Sequence, residues 1–119
     1  MERMPDQCID YIEIVVRDVL RAKAFYAGAF GWPFTDYGPD YSSFSDGRIA
    51  GGLTAEGEVR HGGPLVILYA DDLPATRARI VAAGGTIVRE AFAFPGGWRF
   101  HFTDPDGYEL AVWSTAEHP

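Results

Sequence analysis

The chain has 119 residues, of which 47% are hydrophobic and 23% charged, and its formal net charge is −7. These values are typical of one globular domain with a sizeable core, they exclude disorder, and the negative charge argues against nucleic acid or an anionic membrane as a partner. With Cys8 as the single cysteine, an intrachain disulfide and a thiolate zinc cluster are excluded as well.

The first half predicts a strand, a helix and three short strands. Residues 9–16 are dense in β-branched side chains, which predicts a strand. Asp18 is placed to cap a helix over residues 19–30, and Gly31 ends it. Asp46-Gly47 is a hairpin signal between two of the later strands. The three short strands are predicted over 32–37, 41–45 and 48–54.

The second half repeats this order after a polar loop over residues 56–63. A strand over 65–70 is followed by Asp71 or Asp72 as the cap of a helix over 74–83. Gly84-Gly85 ends that helix. Three more strands are predicted over 86–92, 98–103 and 108–113.

The residues that begin and end the helices recur at the same spacing in the two halves. Asp18 and Asp71 are 53 positions apart, and so are Gly31 and Gly84. We therefore predict an α+β fold of two pseudo-symmetric βαβββ modules, roughly 9–55 and 64–114, within one domain spanning 1–119. The strands should form a curved mixed sheet whose concave side is a ligand cavity.

Four segments carry a family resemblance: E-I-V-V-R-D at 13–18, A-F-Y-A-G-A-F-G-W at 24–32, A-A-G-G at 82–85 and F-T-D-P-D-G-Y-E-L at 102–110. With them the chain resembles the vicinal oxygen chelate superfamily, which includes glyoxalase I, extradiol dioxygenases and bleomycin-resistance proteins, and most of all its single-domain glyoxalase-like branch. The resemblance implies the fold and a homodimer. It does not identify a reaction, because this fold hosts many.

The resemblance also implies where a metal would bind, since metal-using members coordinate the ion with four cavity-facing side chains, usually His and Glu. The matching positions here are Tyr11, Gly51, Leu65 and Ala111. Three of these have no side-chain ligand atom, and a neutral tyrosine alone is a poor ligand. We therefore expect no family-type metal site and no cofactor. A divalent metal held by displaced ligands is the alternative.

Strand alternation predicts which other side chains line the cavity. The family pattern adds Arg99 and His101 facing inward, with Phe100 and Phe102 facing the helix. Glu13 is either half-exposed or paired with Arg99. The candidate ligand-binding residues are Tyr11, Glu13, Tyr69, Arg99, His101, Glu109 and Trp113.

Three functions fit these residues. The first is metal-free binding of a small organic molecule. The second is a lactoylglutathione-lyase-like lyase or isomerase, in which Glu13 or His101 moves a proton and is thus the catalytic candidate. The third is dioxygenase-like or glyoxalase-like chemistry on a displaced metal.

The expected partners are a small-molecule ligand and a second copy of the chain. No apolar run is long enough to span a membrane, and residues 1–7 do not resemble a signal peptide, so the expected location is the cytoplasm.

Overall fold

The computed structural model describes residues 6–115. Its elements follow the order β-α-β-β-β twice, which confirms the predicted α+β fold of two modules. Within residues 6–115 no helix is long and apolar enough to cross a membrane. The elements are β1 (Tyr11–Val15), α1 (Val19–Phe30), β2 (Phe34–Asp36), β3 (Tyr41–Ser45), β4 (Ala50–Thr54), β5 (Val66–Tyr69), α2 (Leu73–Ala82), β6 (Thr86–Phe94), β7 (Gly97–Thr103) and β8 (Glu109–Ser114).

Both helices begin at an aspartate whose side chain accepts a backbone hydrogen bond. Asp18 accepts from the backbone N–H of Arg21 at 3.2 Å, and Asp72 accepts from that of Ala75 at 3.0 Å. The second cap is thus Asp72, and the Asp71 used in the repeat spacing is not a cap. After α1, Gly31 has a φ of 73°, a left-handed conformation that glycine adopts without strain.

The strands form two four-stranded mixed sheets, ordered β1-β4-β3-β2 and β5-β8-β7-β6. In each sheet the first strand of the module is parallel to the last one, and the other neighbours are antiparallel. Strands β1 and β5 are therefore both edge strands, and within the described residues they pair with no strand of the other sheet. The predicted curved sheet is thus built from two separate halves.

The core lies between the two helices and the inner faces of the two sheets. Helices α1 and α2 pack against each other, and α1 also contacts the second sheet, because the ring centroids of Phe25 and Phe30 lie 6.2 and 5.9 Å from that of Phe102. The two modules therefore share one core. The fully buried large side chains include Tyr26, Phe25, Phe100, Phe102, Leu53, Leu73 and Ile80.

The Asp104-Pro105-Asp106-Gly107 turn ties the modules together. One carboxylate oxygen of Asp104 accepts from the backbone N–H groups of Asp106 and Tyr108, both at 3.0 Å. The other accepts from the buried Tyr26 hydroxyl at 2.7 Å. Burial raises the pKa of Asp104 above its ordinary value, although these hydrogen bonds oppose the shift. The buried Asp106 carboxylate accepts from Arg21 at 2.9 Å, which adds a second link to α1.

Candidate functional site

Each sheet has an outer face turned away from the core. In the second sheet, Phe100 and Phe102 are buried in the core, so Arg99 and His101 lie on the opposite, outer face, as strand alternation predicts. His101 is opposite Ala111 in the antiparallel β7–β8 pair. The same outer face carries Phe92, Ile67, Tyr69, Glu109 and Trp113.

A histidine–carboxylate pair occupies one end of this face. His101 Nδ1 lies 2.7 Å from Glu109 Oε2, and the histidine side chain is 7% exposed while that of Glu109 is 53% exposed. A carboxylate only accepts, so Nδ1 carries the proton, and in the neutral ring Nε2 is then an acceptor. Nε2 is buried and has no hydrogen-bond partner among the described residues. Glu109 thereby fixes both the tautomer and the orientation of His101.

Arg99 lies beside an apolar cavity of about 240 Å³ lined by Ile67, Phe94, Arg99 and Trp113. Within the described part of the chain its guanidinium has no ion pair or hydrogen bond, and its Nε is buried. It contacts only rings, with its Cζ 5.5 Å from the Phe92 centroid and 5.9 Å from that of Phe94. A cation without a counterion at the wall of an aromatic cavity is suited to bind an anionic group.

Aromatic rings complete this cavity. The Trp113 ring lies 5.1 Å from Tyr69 and 6.1 Å from Phe94, both edge-on. On β6, Arg89 stacks over Phe92 with its Cζ 3.6 Å from the centroid. Phe92 and Phe94 were not predicted as site residues. Their alternation was the available signal, but β6 has register shifts between Ile87 and Phe92 that hide it.

The first sheet carries a different cluster on its outer face. The hydroxyl groups of Tyr11 and Tyr41 are hydrogen-bonded, and Tyr41 donates to Glu13 Oε2 at 2.9 Å. The cluster needs Gly52, because a Cβ there would lie 2.1 Å from the Tyr41 hydroxyl. Burial, followed by the hydrogen bonds to Tyr11 and Glu13, raises the pKa of Tyr41.

The predicted site residues are thus divided between the sheets. Tyr11 and Glu13 lie on the first sheet, and the other five lie on the second. Glu13 is exposed and bonded to Tyr41, so the alternative in which it pairs with Arg99 is wrong. No hydrogen bond between described residues joins Glu13 to His101, and within one chain the two catalytic candidates do not form a pair.

The sequence profile of the Glyoxalase/Bleomycin resistance protein/Dioxygenase superfamily matches residues 8–112. The chain belongs to this superfamily. Its fold agrees with solved members. A glyoxalase-related enzyme from Fulvimarina pelagi has a TM-score of 0.79 and 23% identity, over 91% of this chain and 88% of that one. Lactoylglutathione lyase from Agrobacterium tumefaciens has a TM-score of 0.72 and 20% identity, over 93% and 96%. At these identities the likeness shows the fold alone.

A curated relative is more similar in sequence. The anthracycline biosynthesis protein DnrV of Streptomyces peucetius is 32% identical in a match that covers 81% of this chain and 42% of the relative. The chain therefore spans less than half the length of this relative, so the activity of the whole relative does not transfer with the match.

The pairing of β1 with β4 and of β5 with β8 shows which residues occupy the superfamily's metal positions. Gly51 is opposite Ile12, and a Cβ there would meet the Phe44 ring on the core side. It is therefore not a cavity position, and the predicted metal position on β4 was wrong by one residue. Gly52 takes its place, because it pairs with Glu13 on β1 as Ala111 pairs with Ile67 on β5.

The corrected set of positions is Tyr11, Gly52, Leu65 and Ala111. Glycine, leucine and alanine provide no ligand atom, and neutral tyrosine is a weak one. Among the described residues, no group of three or more His, Cys, Asp or Glu side chains is placed to hold a metal ion. These side chains do not fit the superfamily's metal site.

Proposed function

We propose that this protein binds a small organic molecule on the outer face of its second sheet, without a family-type metal site. One observation carries the proposal. The cavity of about 240 Å³ combines the apolar walls of Ile67, Phe94 and Trp113 with the guanidinium of Arg99, which has no counterion among residues 6–115. An apolar pocket with a few convergent polar groups is the usual composition of a small-molecule site.

The sequence comparison supports the same class of ligand. DnrV is named for anthracycline biosynthesis, which is a pathway of small organic molecules. Aromatic walls suit a flat ligand of this kind, because rings stack with centroids about 4.5–7 Å apart and contribute roughly 0.5–1.5 kcal/mol per pair beyond their buried area.

Binding is tested by offering the full chain, purified and treated with a chelator, a panel of one-ring and two-ring aromatic compounds. We expect at least one compound to bind without added metal and to be recovered chemically unchanged. Trp113→Ala should weaken that binding, while Tyr37→Ala, at a 66% exposed tyrosine of the first half, should not. A compound that emerges chemically altered would contradict the binding role and favour an enzyme.

A second candidate function is proton transfer by His101 on a small oxo compound. The observation that favours it is the bond to Glu109, which leaves Nε2 as an acceptor and would support general-base catalysis. Turnover should then be lost in His101→Gln and reduced in Glu109→Gln. Turnover that survives both substitutions would refute this assignment.

We also propose that two copies of the chain associate through the edge strands β1 and β5. Three exposed large apolar side chains outside the cavity lie in these strands or next to them: Ile9, Tyr11 and Leu65. Unpaired edges with exposed apolar side chains tend to be covered by another chain. A two-fold dimer that places β1 of one copy beside β5 of the other covers both edges at once.

The oligomeric state is measured by light scattering coupled to size exclusion. Leu65→Lys, next to β5, should shift the wild-type dimer toward monomer. Val81→Lys is the matched control, because this α2 side chain is 48% exposed and lies outside the proposed interface. A wild-type monomer at all concentrations, or equal effects of the two substitutions, would overturn the interface.

A further inference from the structure

The cavity beside Arg99 has a defined charge pattern. Arg99 and Arg89 both lie against the Phe92 ring, so two cations flank one aromatic ring of the outer face in a chain with a net charge of −7. The nearby acidic group on this face is Glu109, which is opposite Thr103, whereas Arg99 is opposite Trp113. These positions are four residues apart, or roughly 13 Å along the strand.

The acidic end of the face is also partly neutralised. Glu109 bonds to His101 at 2.7 Å and its side chain is 53% exposed, so water and the imidazole both screen its charge. Arg99 has neither form of compensation among the described residues. The Glu109 carboxylate is held at His101, two residues from Arg99 along β7, and this bond together with its exposure to water weakens its repulsion of an anion bound near Arg99.

The apolar walls of the cavity indicate what the uncharged part of the ligand is. Trp113 and Phe94 provide ring faces and edges, and Ile67 provides an aliphatic surface. A volume of about 240 Å³ is just below the usual range of about 300–1,000 Å³ for ligand pockets, so one or two fused rings fit better than a larger skeleton. A guanidinium presents a planar fork of donors that matches a carboxylate in geometry.

We propose that the ligand is an aromatic carboxylate of one or two rings, with its carboxylate on the Arg99 guanidinium and its ring plane against Trp113. This inference rests on the proposed small-molecule function and narrows it to one chemical class. The net charge of the chain favours a cationic ligand overall, but the local charge at this cavity is positive and selects for an anion.

The test compares three probes of the same shape and different charge: 2-naphthoate, 2-naphthamide and 2-naphthylmethylammonium. Affinities for the full chain are measured by calorimetry at neutral pH. We expect 2-naphthoate to bind at least about tenfold more tightly than the amide, since charge-assisted hydrogen bonds are markedly stronger than neutral ones. The ammonium probe should bind weakest.

Variants then assign the preference to Arg99. Arg99→Met should remove the preference of naphthoate over the amide, and Arg99→Lys should keep part of it. Because the readout is a ratio of affinities within one variant, it does not depend on how much of the protein is folded. Arg77→Met is the matched control, because Arg77 lies on α2 and forms an ion pair with Glu90 of β6. Its loss should leave the affinity ratio unchanged.

The remaining outcomes separate the two proposals. Equal binding of naphthoate and amide, or a preference for the ammonium, overturns the carboxylate class but leaves the small-molecule function standing. A preference that persists in Arg99→Met overturns the role of Arg99. No binding of these probes overturns the carboxylate class, and no binding of the wider aromatic panel overturns the proposed function as well.

Discussion

Replacing Tyr26 by phenylalanine removes one hydroxyl from the centre of the molecule. Its oxygen donates at 2.7 Å to Asp104 Oδ2, and both residues are buried. The ring itself keeps its contacts, an edge-on neighbour in Phe25 at 4.9 Å and a stacked neighbour in Trp32 at 5.0 Å. The substitution therefore tests one hydrogen bond between the first helix and the turn before β8.

The size of the stability loss depends on which hydrogen bonds Asp104 keeps in the variant. Its Oδ1 keeps two backbone N–H donors, but Oδ2 loses the donor that Tyr26 provides. Leaving a buried acceptor unsatisfied costs about 1–3 kcal/mol, and more for a charged group. We expect a loss of about 2–3 kcal/mol in the free energy of unfolding at neutral pH. With a urea dependence of about 1–3 kcal/mol per M, the midpoint falls by roughly 0.7–3 M.

The loss should also depend on pH. Burial holds the pKa of Asp104 above its ordinary value in the folded state, so this group disfavours folding progressively as pH rises from that ordinary value through the raised one. The Tyr26 hydrogen bond opposes the shift by stabilising the ionised form. The deficit of Tyr26→Phe should thus be largest at neutral pH, where Asp104 is ionised, and shrink as acidification protonates the carboxyl.

Urea unfolding of wild type and variant at several pH values between about 4 and 7 measures this. Tyr108→Phe is the matched control, because Tyr108 donates at 2.8 Å to the uncharged backbone carbonyl of Val15. Its deficit should be about 1 kcal/mol and constant over the same range. A Tyr26→Phe deficit that is constant, or that grows on acidification, would refute the assignment of an ionised Asp104 stabilised by Tyr26.

Two further predictions concern glycines. Gly97→Ala places a Cβ 2.0 Å from the backbone oxygen of Ser114, so we expect a loss of about 3 kcal/mol by urea unfolding. Gly28→Ala, inside α1, gains helix propensity but brings a Cβ to 3.3 Å from that of Ala83, so its effect should stay within about 1 kcal/mol of zero. Equal effects of the two substitutions would contradict the close approach at Gly97. Gly52→Ala should separate Tyr41 from Glu13, so that the raised pKa of Tyr41 returns toward its ordinary value in a spectrophotometric titration, and an unchanged titration curve would contradict the packing over Gly52.

Much of the fold could be predicted from local signals. The helix bounds follow from residues whose conformational preferences act within one turn, such as Asp18 and Gly31. The inner and outer faces of β7 follow from alternation, which separates Phe100 from His101 without knowledge of any other strand. Asp71 and Asp72 are adjacent and have the same capping preference, so the sequence does not choose between them, and the hydrogen bond from the backbone N–H of Ala75 identifies Asp72 as the cap.

The register between strands is not a local property, and this is why part of the site was missed. Gly51 and Gly52 are the same residue type, so neither carries a hydrophobic signal that would fix which one faces the core. The register shifts of β6 likewise hide the placement of Phe92. The bond from Tyr41 to Glu13 joins residues 28 positions apart, and only the sheet pairing brings them together.

The register also explains how the metal position on β4 came to be incompatible with a ligand. The space where a side chain of residue 52 would lie contains the hydroxyl groups of Tyr41 and Tyr11, at 2.1 and 2.7 Å from an ideal Cβ. A histidine there would displace both tyrosines and leave Glu13 without its donor, at a cost of the order of 1–3 kcal/mol for overpacking. Gly52→His should therefore cost less stability in a Tyr41→Ala background than in the wild-type background, as measured by urea unfolding. An equal cost in both backgrounds would show that the Tyr41 ring does not occupy the space of a side chain at position 52.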